Sequence, residues 1–332
     1  MTPPPNRLSG PLEDVAGEAG HSGHPARVGF FTDTSVCIGC KACEVACKEW
    51  NGVPDDGFNL LGMSFDNTGG LGANSWRHVA FIEQPSRLGG QARDELIAEA
   101  LRQAGRGGGE LGTSPMDLEL PLFGGPAGDG GQAGDDPRDG PRGELRWLMA
   151  SDVCKHCTHA GCLDVCPTGA LFRTEFASVV VQQDICNGCG YCVSACPYGV
   201  IDRRPDDGRA HKCTLCYDRL RGGMEPACAQ ACPTDSIQFG DLDELRERAE
   251  RRVQALHERG VGEARLYGED PDDGVGGTGA FFLLLDEPEV YGLPPDPVVP
   301  TRELPAMWKY AGAAAATLVA AAVSVFLGGG RR

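Results

Sequence analysis

CNGCGYCVSACPYGV, residues 186–200, sets its thiols at Cys186-x2-Cys189-x2-Cys192-x3-Cys196 and closes on Pro197. Three closely spaced thiolates can wrap three irons of a cubane, and the next short turn carries the fourth cysteine toward a neighbouring cluster. The spacing recurs. The first group, Cys37-x2-Cys40-x2-Cys43-x3-Cys47, repeats it, and the second, Cys154-x2-Cys157-x4-Cys162-x3-Cys166-Pro167, lengthens one gap. The fourth, Cys213-x2-Cys216-x11-Cys228-x3-Cys232-Pro233, lengthens it further. All 16 cysteines of the 332-residue chain belong to these groups. A lone C-x2-C points first to zinc, but four complete groups ending in the x3-Cys step point to iron-sulfur chemistry. No ligand position holds another residue, so the expectation is four [4Fe-4S] cubanes and no three-iron cluster.

Small residues sit where a cluster-wrapping backbone must come close: Gly39, Gly188 and Gly190. Pro167, Pro197 and Pro233 fix the turn that leaves each site. His156 and His159 lie inside the second group, where a full set of thiolates makes them loop-packing or supporting residues rather than ligands. A chain of this length with 41% hydrophobic residues can bury a core without staples, which argues against a disulfide framework. Neither a phosphate-binding loop, nor a dinucleotide fingerprint, nor a paired nucleophile is present, so no catalytic residue is assigned.

The formal charge is −17, which argues against nucleic acid as a partner. A +2 core held by four thiolates carries −2, so four clusters take the chain to about −25. Arg203, Arg204, Arg209, Lys212, Arg219 and Arg221 crowd the last cysteine group and are expected to offset that charge. The opening MTPPPNRLSG lacks the apolar run of a secretory signal, so no export signal of its own is expected. Tyr310 to Leu327, by contrast, is continuously apolar and spans about 27 Å as a helix, enough to cross a hydrocarbon core. Eight of its residues are Ala, which leaves an Ala-rich soluble helix as the alternative; small residues also suit packing beside another subunit's helices in lipid.

Composition divides the rest. Residues 1–27 read as a disordered arm. A short strand from Phe30 runs into Cys37. Residues 84–143, Gly-rich and without cysteine, read as a mobile insertion with at most a short helix at 92–103, or as a docking loop. Val179 to Val181 reads as a strand. Asp241 and Glu244 open a helix with an apolar face at Leu242, Leu245, Ala249, Val253 and Leu256, which Gly260 ends. Phe281 to Leu285 reads as a buried strand, and LPPDPVVP (293–300) as a linker to the apolar tail.

With these residues in view, CIGCKACEVACKEWN (37–51), CKHCTHAGCLDVCPTGAL (154–171), CNGCGYCVSACPYGV (186–200) and KCTLCYDRLRGGMEPACAQACPT (212–234) resemble the iron-sulfur subunits of molybdenum and tungsten oxidoreductases. SFDNTGGLGANSWRHVAF (64–81), LYGEDPDDGVGGTGAFFLLLDEPEVYGLPPDP (266–297) and the single C-terminal apolar helix are similar to the beta subunit of respiratory, membrane-bound formate dehydrogenase in particular. The resemblance covers about 30–327 apart from the insertion. Related subunits serve nitrate, dimethyl sulfoxide, polysulfide and tetrathionate enzymes, so its specificity is greater for the cluster scaffold than for formate. The insertion and the Ala-rich tail depart from the family pattern.

The resemblance implies an α+β fold of two nested ferredoxin-like dicluster [4Fe-4S] domains with a C-terminal transmembrane helix. The first domain would comprise 28–83 and 205–300, the second 144–204, and the membrane helix 307–327. It also implies that the first cysteine group pairs with the fourth and the second with the third. One cluster then takes Cys37, Cys40, Cys43 and Cys232, and its neighbour Cys213, Cys216, Cys228 and Cys47. In the other pair, one takes Cys154, Cys157, Cys162 and Cys196, and the last takes Cys186, Cys189, Cys192 and Cys166.

The function so implied is electron transfer from a molybdopterin-containing, formate-oxidising catalytic subunit to an integral membrane cytochrome b or quinone-reducing subunit. The protein would be single-pass in the cell membrane, with the cluster domain on the extracytoplasmic side. A freestanding multi-cluster electron carrier is the alternative.

Overall fold

The computed structural model describes residues 14–57, 68–85, 145–301 and 304–328. The expected short helix at 92–103 lies outside the described residues. Two compact units make up the fold, one formed by Met1–Ile82 and Leu148–Arg332, and a second, Glu83–Trp147, described only at its ends.

Strand β1 (Val28–Asp33) is followed by helix α1 (Ala42–Asn51), then β2 (Arg77–Pro85) and β3 (Leu145–Val153), which pair as a two-stranded sheet. The cysteine-rich middle consists of one-turn pieces: α2 (Gly161–Asp164), β4 (Leu171–Arg173), β5 (Val179–Val181), α3 (Tyr191–Ser194), β6 (Asp202–Arg203), β7 (Ala210–His211), α4 (Tyr217–Arg221) and α5 (Ala227–Gln230). Their shortness follows from the motif, because ligands spaced two or three residues apart leave no room for longer elements. Then come β8 (Ile237–Asp241), α6 (Leu242–Glu258), β9 (Arg265–Tyr267), β10 (Ala280–Leu284) and α7 (Leu304–Gly328).

The sheet that organises the larger unit has the order β8-β1-β10-β9. β1 runs antiparallel to β8 and parallel to β10, with Phe31 opposite Gln238 on one side and Phe281 on the other. Strand alternation gives the sheet two faces. Phe31, Phe281 and Leu283 pack against Leu242, Leu245, Ala249 and Leu256 of α6, with Val253 half-buried beside them. Phe30 and Ala280 point the other way, into a core that contains Cys43, Cys47, Cys154, Cys213 and Cys228. α6 begins as its sequence dictates: the Asp241 carboxylate accepts from the N–H groups of Asp243 (2.9 Å) and Glu244 (3.3 Å), and Gly260 follows its end at φ +85°.

Two segments read as loose carry defined packing. Within the stretch expected as a disordered arm, residues 14–27 bury Val15 and Ala16 against Ala177, and His21 Nε2 lies 2.9 Å from the Arg173 carbonyl. The proline-rich 293–300 is a strap rather than a free linker. Tyr267 donates to the Pro294 carbonyl at 2.6 Å, the Val299 N–H to Gly274 at 3.1 Å, and Leu293 and Val299 are buried. Local composition gives no sign of these partners, which lie far away in sequence. α7 contains Met307–Phe326, 20 residues of mean hydropathy 1.5 and wholly exposed, long and apolar enough to cross a membrane.

Candidate iron-sulfur centres

No disulfide joins any of the 16 cysteines, and they gather across sequence groups. Cys47, in the middle of α1, lies among Cys213, Cys216 and Cys228; burial and then those three sulfurs push its thiol well above its ordinary pKa. Asn51 Nδ2, one turn on, stands 3.8 Å from Cys47 Sγ and 3.7 Å from Cys216 Sγ. Cys37 has Cys232 and Cys40 for neighbours. Cys157 is half-buried beside Cys154, Cys196 and Cys162, and Cys192 lies with Cys186, Cys189 and Cys166. Three of the four expected sets thus show one member from a distant group beside three from one group, and in the first set Cys37 lies with Cys40 and Cys232. Among the sixteen, only Cys40 and Cys189 are exposed.

One small cavity is lined by Cys154, Cys157, Cys162 and Cys196 together, with Val179, Ile201 and Lys212 among the other residues of its wall. Crowding these thiols is unfavourable for the free side chains. Burial above all raises Cys43 to about 11, Cys162 to about 12 and Cys192 to about 11; neighbouring sulfur adds to it, and Arg77 at Cys43 and Lys212 at Cys162 oppose it. A cationic iron-sulfur core removes that conflict, because the thiolates then face positive iron rather than one another. Among the described residues, no three Cys, His, Asp or Glu side chains converge on one point as a single ion requires. A cubane takes each thiolate on a different iron, so its four ligands need not meet at one point. The donor set fits [4Fe-4S] clusters.

The loops also aim backbone N–H groups at sulfur. Leu215 N is 3.3 Å from Cys213 Sγ and Ala210 N is 3.4 Å from Cys186 Sγ. At Cys166 burial raises the thiol, but the backbone N–H of Leu171, the Thr168 hydroxyl and further N–H groups outweigh it and hold the pKa below the ordinary value. Such donors favour the thiolate a cluster needs. Gly188 is required here: it sits at φ +72°, and a β-carbon on it would lie 2.5 Å from the Gly208 carbonyl oxygen.

His156 and His159 support the loops. His156 is buried and its Nδ1 accepts from Val179 N at 3.1 Å, while burial and then Lys212 hold its pKa well below the usual range, so the ring is neutral. His159 is buried, with its backbone N–H on the Val275 carbonyl at 2.8 Å.

The basic residues near the last group divide in a way their sequence positions do not reveal. Arg203, Arg209 and Arg221 are exposed, and Arg204 is half-buried with Nε on Asn74 Oδ1 at 2.9 Å. Arg219 is spent on the Glu225 carbonyl (2.6 Å), Gln230 Oε1 and the face of Trp50, 4.2 Å away. Only Lys212 of the six stands among cluster thiols: it is buried, with Cys154, Cys162 and Cys213 around its ammonium and the Cys213 carbonyl accepting from it at 2.9 Å. Arg77 and Ser151, from β2 and β3, also reach the sulfurs, with Arg77 Nη2 3.3 Å from Cys228 Sγ and Ser151 Oγ 3.2 Å from Cys43 Sγ. Lys155 is buried next to Cys154, with its ammonium on the Asp152 carboxylate and over the Phe282 ring at 4.7 Å.

Residues 145–242 match a family model described as a 4Fe-4S dicluster domain. The protein is 34% identical over 309 residues, 92% of its length and 84% of the relative's, to the nitrate-inducible formate dehydrogenase iron-sulfur subunit of Escherichia coli (strain K12). It is 35% identical over 283 residues to the formate dehydrogenase iron-sulfur subunit of Haemophilus influenzae, covering 83% and 71% of the two proteins. The B subunit of the anaerobic dimethyl sulfoxide reductase of Escherichia coli (strain K12) is 29% identical over 221 residues, 66% of this protein and 76% of that one.

Proposed function

This protein belongs to the family of formate dehydrogenase iron-sulfur subunits, and from that premise we propose that it conducts electrons from a molybdenum- or tungsten-pterin, formate-oxidising subunit to a membrane cytochrome b or quinone-reducing subunit. It is an electron-transfer subunit of an oxidoreductase complex and holds several [4Fe-4S] clusters. The clusters, when bound, supply reversible one-electron storage. The protein's part is to position them, exclude water and set the local charge.

Four clusters are proposed, on the sets Cys37, Cys40, Cys43 and Cys232; Cys213, Cys216, Cys228 and Cys47; Cys154, Cys157, Cys162 and Cys196; and Cys186, Cys189, Cys192 and Cys166. The observation that carries this reading is the single cavity lined by Cys154, Cys157, Cys162 and Cys196, in which two sequence groups meet. Nesting of the two dicluster domains, with 28–83 and 205–300 enclosing 144–204, is supported by the parallel pairing of β1 with β10, which closes the chain around its middle. Exposure supports an order along the path. Cys40 and Cys189 mark the outer sets, and Cys213 beside Cys154 makes the other two neighbours.

The apolar helix at 307–327 is proposed as a single membrane anchor with the cluster domain outside; Arg331 and Arg332 favour that orientation, and Arg302 and Lys309 on the other flank oppose it. Anaerobic purification from membranes, with iron analysis and identification of co-eluting proteins, tests the whole reading. About sixteen irons per chain, a large pterin subunit and formate-dependent reduction are expected. Zinc in place of iron overturns the cluster assignment, and response only to a sulfoxide overturns formate.

A further inference from the structure

Arg77 lies on β2, outside every cysteine group, yet its guanidinium is enclosed between two of them and only 2% of the residue is exposed. Nη2 donates to Cys228 Sγ at 3.3 Å. Nη1 donates to Ser151 Oγ at 3.2 Å and to the Ser151 carbonyl at 3.1 Å, and Ser151 Oγ stands 3.2 Å from Cys43 Sγ. The Phe30 ring closes one face of the guanidinium at 4.8 Å. A continuous polar path thus runs Cys43–Ser151–Arg77–Cys228, joining a ligand of one proposed cluster to a ligand of the next. No carboxylate among the described residues pairs with Arg77. A buried guanidinium without a counter-ion is strongly disfavoured, and arginine does not escape by losing its proton. The negative groups that face it are the sulfurs of Cys228, Cys43, Cys213 and Cys47.

We propose that Arg77, held by Ser151, is a potential-setting bridge shared by two clusters, a fixed cation that stabilises the electron on either and links their electrostatics. The inference rests on the ligand sets proposed above. Reduction adds a negative charge to a cluster and its thiolates, and a cation touching those thiolates in a water-free site favours the reduced form with little screening by salt. Its position at the junction means that it acts on two clusters and not on four. Arginine suits the task because its planar fork can donate to Cys228 and Ser151 at once.

The test is potentiometric titration followed by electron paramagnetic resonance on the anaerobically isolated full-length protein with its co-purifying subunits. Arg77→Met, which keeps bulk and removes charge, is expected to shift the reduction equilibrium of two clusters at least tenfold toward the oxidised form, about 59 mV for one electron. The other two clusters stay within threefold of the parent. Arg77→Lys restores most of the shift, and Ser151→Ala moves the same two clusters less. Four unchanged potentials in iron-replete Arg77→Met, or an equal shift of all four, overturn the proposal. If Arg77→Met fails to retain iron, Arg77→Lys decides: full iron with near-parental potentials upholds a role for charge, and loss of iron in both variants makes the residue a packing element and overturns it. Cys43→Ser and Cys228→Ser distinguish this failure from failure of the ligand sets, which require the two variants to abolish different signals.

Discussion

Replacing Cys47 by Ser should damage a cluster whose other ligands are more than 160 residues away in sequence, and spare the one bound by its near neighbours. Cys47 is 5% exposed and lies among Cys213, Cys216 and Cys228, with Asn51 Nδ2 between it and Cys216 at 3.8 and 3.7 Å. Serine is close to isosteric, so no cavity opens, and Asn51 offers the new hydroxyl a partner. What is lost is a thiolate: the hydroxyl stays protonated at neutral pH and ligates iron weakly. One ligand in sixteen is removed, so iron should fall from about sixteen to about twelve per chain if the cluster is lost, or to about fifteen if one iron leaves it. The assay is iron and sulfide analysis with resonance spectra of the anaerobically reduced protein, beside Cys216→Ser and Cys40→Ser. Cys47→Ser and Cys216→Ser should lose the same signal, and Cys40→Ser a different one. If Cys47→Ser matches Cys40→Ser instead, ligation runs within sequence groups and the cross-group reading fails.

Gly188→Ala must place a β-carbon 2.5 Å from the Gly208 carbonyl oxygen at φ +72°. The left-handed backbone alone costs roughly 1–2 kcal/mol, so the loop should shift and the cluster of Cys186, Cys189, Cys192 and Cys166 should be lost selectively, as read by iron content. Removing iron with a chelator under reducing conditions leaves Arg77 and Lys212 buried without their counter-charge. Denaturant unfolding of the stripped protein should show a loss of roughly 3–5 kcal/mol or more, and equal stability with and without iron would refute that account. Truncation after Thr301 should release the protein from membranes while its iron content is retained, measured by fractionation and iron analysis; a truncated form that stays membrane-bound through its own surface would exclude α7 as the anchor.

The features legible in the sequence are those whose physics is local. Ligand spacing marks all four cysteine groups, three β-branched residues mark β5, and Asp241 with a helical apolar stripe marks α6. The pairing of the first group with the fourth is not local, and family resemblance rather than spacing implies it. Neither is the strap at 293–300, whose prolines read as a linker although Tyr267 and Gly274 hold its backbone. Val15 is equally hidden in a Gly-rich polar stretch, because what buries it is Ala177.

Charge is where proximity in sequence misleads most. A protein at −17 that must hold further negative charge invites the assumption that its nearest bases neutralise the clusters. Yet Arg203, Arg209 and Arg221, close to Cys196 or Cys213 in sequence, are exposed, where solvent and salt weaken their influence. Arg77 lies about thirty residues beyond Cys47 and touches Cys228 directly. A cation acts strongly on a cluster only where water is excluded, and exclusion is a property of the packed sheet: Phe30 of β1 closes over the guanidinium, and Ser151 of β3 fixes its fork. The same alternation that turns Phe31 toward α6 turns Phe30 toward the clusters. The fold therefore shapes the electron path by choosing which few of its 30 lysines and arginines lose contact with solvent.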